Sequence, residues 1–193
     1  MLTAEFFTSH PVTCARQLVG CELVWEQGSG IIVETEAYAA LGDEACHTFL
    51  RRGAQKFVDT HPAGTAYVYL NYGIHWLLNV LVKGPEMDGF VLVRALEPRR
   101  GIELMKQRRK LDDPVKLCSG PGKLTQALAI PPSFHGSSLC HDPQRSFHAA
   151  PENEPPMTIV EDVRIGISRA ADLPWRFLAL GSRYVSRRPL AKV

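Results

Sequence analysis

An α+β fold, with a mostly antiparallel β-sheet core flanked by short helices, is what this sequence predicts. Three observations predict it: apolar runs of strand length recur along the chain, the helical patterns between them are short and widely spaced, and turn residues separate neighbouring strands. At 193 residues, 45% of them hydrophobic and 22% charged, the chain suffices for one well-filled core and is short for two. Residues 1–193 therefore read as a single domain. The glycines and prolines form no linker-like tract, and no internal repeat is found.

The elements follow in order. Residues 11–18 read as a short helix, with Pro11 at an early position where its missing N–H costs nothing. Residues 21–25 and 30–38 read as two strands around a Gly28-Ser29-Gly30 turn. Residues 41–62 are polar and read as a loop with room for one helical turn, carrying Arg51, Arg52 and Lys56. Strands are expected at 65–70, 76–82 and 90–96, with Asn71, Tyr72 and Gly73 supplying turn chemistry. Residues 101–109 suit a helix whose dipole is met by Glu103 early and by Lys106, Arg108 and Arg109 late. A second helix is expected at 119–130, capped by Ser119, with Leu124, Ala127 and Leu128 on one face. Residues 135–156 read as an irregular excursion, and strand character returns at 163–167 and 177–180.

No apolar run is long enough to span a bilayer, and the start MLTAEFFTSH lacks the basic-then-apolar order of a secretory signal. The five cysteines are odd in number and form no CxxC pair, so reduced thiols in the cytoplasm are expected. His135, Cys140, His141 and His148 match no familiar zinc spacing; a polar surface loop without metal is the expectation there. The net charge of +2 says little, but its distribution says more. Residues 99–110 hold six basic residues and one acid, Glu103, while residues 176–192 hold five basic residues and no acid. Such runs suit a phosphate-binding surface or a solvated helix face and tail, and charge alone does not choose between them.

Two segments carry the candidate chemistry. In a strand, Glu34, Glu36 and Tyr38 share one face. Acidic neighbours on one face repel, which an exposed edge strand tolerates; the alternative is a carboxylate held in a cleft to activate water, with Asp43, Glu44 and His47 near enough to join it. Residues 67–76 hold a cluster of aromatic and imidazole rings that could simply pack a core. Tyr72 differs, since beside Gly73 in a turn its ring would be displayed, as base stacking or duplex insertion requires. Asn79 and Arg94 are polar residues within apolar strands, and a buried arginine needs a carboxylate or phosphate.

The runs ETEAY (34–38), DEACH (43–47), YVYLNYG (67–73), VLVRALEP (91–98) and CSGPGKLTQALAI (118–130) resemble, in order, those of the alkyladenine DNA glycosylase family, the methylpurine type of 3-methyladenine DNA glycosylase. The resemblance extends from about residue 10 to about residue 184. It implies a monofunctional enzyme of base excision repair that flips alkylated or deaminated purines (the 3-methyladenine, ethenoadenine and hypoxanthine class) out of double-stranded DNA and hydrolyses the N-glycosidic bond. Glu36 then matches the general base, and Arg94, with a backbone carbonyl near Ile165, the holder of its water. Tyr38, His47 and Tyr69 match the pocket for the flipped base, with backbone groups of Ala45 and His47 at its edge. Asn79 matches the residue that clashes with the amino group of guanine, and Tyr72 the side chain that fills the gap in the duplex. Arg51, Arg52 and Lys123 are expected on the DNA backbone. No cofactor or metal is implied, and a monomer in the cytoplasm, at the nucleoid in a bacterium, is expected. Ile74-His75 and residues 135–156 depart from the family pattern. Two alternatives remain open: Lys123 attacking the sugar as an amine, and a lesion-binding DNA module without catalysis.

Overall fold

Residues 1–189, which this computed structural model describes, form an α+β fold around one eight-stranded sheet whose pairings are all antiparallel. The strands are β1 (Glu22–Trp25), β2 (Gly28–Ala39), β3 (Ala66–Asn71), β4 (His75–Lys83), β5 (Asp88–Arg100), β6 (Arg145–His148), β7 (Ile159–Asp162) and β8 (Arg176–Ala179). Their main order is β3-β4-β5-β2-β1-β6, and β8 joins β2 to β7. Around them lie α1 (Pro11–Leu18), α2 (His47–Leu50), α3 (Arg52–Thr60), α4 (Ile102–Arg109), α5 (Pro114–Leu117) and α6 (Pro121–Leu128). None of these helices is long and apolar enough to cross a membrane.

The expected α1 forms as read, with Pro11 at its first position and His10 Nδ1 accepting from the Val12 N–H. Other expectations need correction. Gly28, Ser29 and Gly30 lie inside β2; the turn falls at Glu26 and Gln27, because Trp25 already pairs with Gly28 and Glu26 takes a left-handed φ of 52°. Gly28 is small for a packing reason: a Cβ there would sit 2.9 Å from Leu128 of α6. Residues 41–62 hold two helices, since Ala54, Phe57 and Val58 recur at helical spacing and bury together. The helix expected from Ser119 begins at Pro121; the Ser119 hydroxyl accepts from Lys123 Nζ at 3.4 Å and caps no backbone N–H.

Residues 135–156 are less irregular than expected. β6 pairs with β1, Leu139, Cys140 and Phe147 are buried, and Thr65 bridges to Ser138. The strand expected at 163–167 forms four residues earlier, as β7, and the chain then turns through Gly166 (φ 77°). The short helix α5 and a 3₁₀ turn at Ala4–Thr8 have no counterpart in the sequence reading. Lys192, in the basic C-terminal run, lies outside the described residues.

Two apolar clusters anchor the sheet. The larger packs α1, α4 and α6 on one side; the smaller gathers Cys46, Phe57, Val58, Tyr67, Leu81 and Phe90, with Tyr38 and Tyr69 resting against it. Burying a ring the size of Phe57 is worth about 1.5–3 kcal/mol. The smaller cluster is the floor on which the candidate site is built.

Candidate active site

β2 is no edge strand. It lies between β5 on one side and β1 and then β8 on the other, so Glu34 and Glu36 are carried into the interior. Two adjacent irregularities shape the place: Val33 is an extra residue on β2, and Arg94 is an extra residue on β5. The paired bulges put the Arg94 guanidinium between the two carboxylates. Its Nε donates to Glu34 Oε1 and its Nη1 to Glu36 Oε2, each at 3.1 Å.

The two carboxylates differ in their partners. Glu34 accepts from Arg94, from Arg176 Nε (2.7 Å) and from Ser186 through both its hydroxyl (2.8 Å) and its N–H. Arg176 also pairs with Asp162 at 2.9 Å and donates to the Arg187 carbonyl. Glu36, with 0% exposure, accepts from the Tyr38 hydroxyl (2.8 Å) and Arg94 on Oε2, but only from the Ile165 N–H (2.7 Å) on Oε1. A carboxylate oxygen offers about two acceptor positions, so among the described residues Oε1 of Glu36 keeps one to spare, as does Oε2 of Glu34. Burial raises the Glu36 pKa above 4.5, while Arg94, the Ile165 N–H and Tyr38 pull it back. Burial works against the Arg94 charge, yet Glu36 and Glu34 hold its pKa above the ordinary value. The Tyr38 hydroxyl, buried beside Glu36, stays protonated well past its usual range.

In front of this network lies a cavity of about 260 Å³, lined by Tyr38, Ala45, His47, Tyr69, Tyr72, Asn79, Arg94, Ile165 and neighbours. It thus brings together eight of the residues singled out from sequence, Tyr72 among them; Glu36 lies behind the wall, which all three of its partners line. His47 opens α2, shares a hydrogen bond with the Tyr67 hydroxyl through Nδ1 (3.1 Å), and meets the Tyr69 ring edge-on at 4.2 Å between centroids. Burial, with Arg51 nearby, lowers its pKa to about 4, so the imidazole is neutral at pH 7. Asn79 reaches across to the Tyr67 carbonyl at 3.2 Å. The Ala45 N–H is already committed to Asp43 Oδ1 at 3.0 Å, which leaves the Ala45 carbonyl for any edge contact.

At the mouth, the β3–β4 hairpin displays Tyr72, 80% exposed, at a left-handed φ of 49° and followed by Gly73 at 70°. Ile74 beside it is 73% exposed. Arg51, Arg52 and Lys123 are exposed; Lys123 does not line the cavity, although Pro121 at the start of its helix does. The basic runs divide. Arg108 donates to the Ala127 carbonyl, Arg109 to Gln126 and Lys106 to Glu103, bracing α4, and Arg176 is buried in the Glu34 network. Of the acids near the cleft, Asp43 turns to Arg164, and Glu44 is exposed within 3.5 Å of Arg169. Arg164, Arg176, Asp162 and Ser186 were not singled out from sequence. The two arginines carried a usable signal, since each sits among apolar neighbours as Arg94 does.

All five cysteines are free and buried, and burial pushes Cys14 and Cys118 up to about 12. His135 binds the Val68 N–H and packs on Phe57, apart from His148, which lies against Pro143 and Ser146. Among the described residues, no group of three His, Cys, Asp or Glu side chains is placed to hold a metal.

Fold and site together define an α+β protein with a buried, arginine-paired carboxylate behind an aromatic cavity and a displayed tyrosine at its mouth. Residues 5–183 match the family model for methylpurine-DNA glycosylase. A protein of Methanoculleus marisnigri is 50% identical over 97% of this chain and 99% of its own length; one from Rhodopseudomonas palustris (strain HaA2) is 44% identical over 96% and 90%, and one from Chlorobaculum tepidum 42% over 96% and 90%. All three are provisionally named 3-methyladenine DNA glycosylase. This chain belongs to the methylpurine-DNA glycosylase family.

Proposed function

We propose that this DNA glycosylase receives alkylated or deaminated purines, flipped out of duplex DNA, into the cavity behind Tyr72 and hydrolyses their N-glycosidic bond with a water activated by Glu36. The observation that carries the reading is the place of Glu36 behind the cavity wall: its partners Tyr38, Arg94 and Ile165 all line the cavity, and its Oε1 keeps an acceptor position among the described residues. Glu34 keeps a position too, on Oε2, but of its partners Arg94, Arg176 and Ser186, Arg94 alone lines the cavity.

The chemistry follows from these groups. The purine leaves with the electron pair of the C1′–N9 bond, the sugar develops positive charge, and water adds its oxygen to C1′ while Glu36 takes the proton. Arg94 and the carbonyl of Ile165 orient that water. An alkylated purine is already cationic and leaves readily, whereas a neutral one such as hypoxanthine leaves after protonation. Tyr38, His47 and Tyr69 stack on and border the flipped base, at about 1–3 kcal/mol per stacked base. Neutral His47 serves as a hydrogen-bonding wall and adds no charge against a cationic lesion. Asn79 excludes the amino group of guanine, and Tyr72 occupies the vacated stack. Arg51, Arg52 and Lys123 hold phosphates, and the enzyme works as a monomer without cofactor.

The test is base release from duplexes carrying one 3-methyladenine, ethenoadenine or hypoxanthine. Wild type is expected to release base and leave an unbroken abasic strand, while Glu36→Gln loses release by about 10²–10⁴-fold and still binds. Binding without release by the wild type would reject the hydrolytic reading in favour of a non-catalytic module. A borohydride-trapped adduct lost in Lys123→Ala would replace it with amine chemistry.

A further inference from the structure

We propose that Arg164, clamped by Asp43, is a positioning residue for the water-activating carboxylate, tying the wall of the base pocket to the amide that holds Glu36. The inference rests on the reading of Glu36 as base.

The two side chains form a forked pair 121 residues apart: Arg164 Nη1 to Asp43 Oδ2 at 2.6 Å and Nη2 to Asp43 Oδ1 at 2.9 Å, both fully buried. Neither lines the cavity, and neither bonds to Glu36. Their remaining contacts run to what does. Asp43 accepts the N–H groups of Ala39 and Ala45, which fixes the segment leading to Ala45, Cys46 and His47 on one wall. Arg164 donates to the Ala37 carbonyl (3.0 Å), in β2 between Glu36 and Tyr38, and to Ala170 (3.1 Å). Its guanidinium lies over the Tyr38 ring, 4.7 Å from the centroid, with Trp175 at 5.2 Å. The next residue, Ile165, gives its N–H to Glu36 Oε1, and Ile165, Gly166 and Ile167 also line the cavity.

One ion pair therefore sets both the width of the base pocket and the direction from which Glu36 is gripped. Stability is a poor reason for such a pair, because two desolvated charges gain little over apolar residues of the same size. Orientation is a better one, since a fork fixes two planes at once and an ammonium does not. If the clamp loosens, the Ile165 amide swings off Oε1, and the carboxylate loses both its aim and a donor that favours its anion.

The experiment is single-turnover base release from an ethenoadenine duplex as a function of pH, with duplex affinity and thermal melting, for wild type, Arg164→Lys, Asp43→Asn and the core variant Leu18→Ala. Arg164→Lys and Asp43→Asn are expected to slow release by about 10–100-fold. Their acid limb should move to higher pH, with affinity changed far less than rate, while Leu18→Ala lowers melting without moving the limb. Arg164→Lys keeps the charge and Asp43→Asn the shape, so either one that folds decides the matter. An unmoved limb in a folded variant, with melting alone reduced, would make the clamp purely structural and leave the role of Glu36 standing. A wild type that releases no base would overturn both.

Discussion

Nη1 of Arg94 lies 3.1 Å from Oε2 of Glu36, and the same guanidinium reaches Glu34 through Nε. Among the described residues, Arg94 is thus the one group bonded to both buried acids of β2. Arg94→Met would remove it while Glu34 keeps Arg176 and Ser186, leaving Glu36 with two uncharged donors. Breaking a buried pair from one side costs about 3–5 kcal/mol. Urea unfolding should show a loss of that order, and base release should fall with it; a loss under about 1 kcal/mol would mean that the network is not holding charge as described.

The rate of base release should carry an acid limb set by Glu36, and its direction can be worked out. The base acts as the anion; burial raises its pKa above 4.5, so activity rises with pH through a midpoint above 4.5 and then levels. Tyr38→Phe removes a hydrogen bond that favours the anion, so the midpoint moves further up. A midpoint that moves down, or stays, would detach this limb from Glu36.

Tyr72 should matter to DNA and little to folding. Its side chain is 80% exposed at a turn, so Tyr72→Ala is expected to change stability by no more than about 0.5 kcal/mol. Affinity for a lesion-bearing duplex should drop by about 1–3 kcal/mol, the worth of one stacked ring. Affinity equal to wild type in a binding titration would take Tyr72 out of the duplex.

His47 makes stability depend on pH in a defined window. Its folded pKa is lowered to about 4 from 6.5, so between those values the unfolded chain holds a proton that the folded chain does not. Stability is therefore present above 6.5 and is lost as pH falls toward 4. Glu36, with its raised pKa, works in the opposite sense, so the comparison must isolate His47. His47→Gln should lose less stability than wild type between pH 7 and pH 5 in urea unfolding; an equal loss in both would assign the window to other groups.

Much of the scaffold was legible. The hairpin around Tyr72 was readable from its turn residues and flanking apolar runs, and α4 from its charge order. Helix α3 was legible in principle, since Ala54, Phe57 and Val58 stand at helical spacing, but polar neighbours masked them. β7 and the adjoining turn were misplaced because a four-residue strand is pinned by its partner β8 rather than by its own pattern.

By itself the sequence determined the alternation that puts Glu34, Glu36 and Tyr38 on one face, the aromatic content of the pocket, and the displayed ring at Tyr72. These are local properties, set by backbone period and turn chemistry. Which carboxylate stands behind the cavity was decided only by the tertiary structure. Glu34 is bound by Arg176 and Ser186, residues 142 and 152 positions away, while Glu36 is met by the cavity-lining Ile165, 129 positions away. A strand's period treats the two acids alike; they diverge because hydrogen-bond partners arrive from distant segments, and only the folded packing of β2 against β5, β8 and the chain beyond β7 brings those segments within bonding distance.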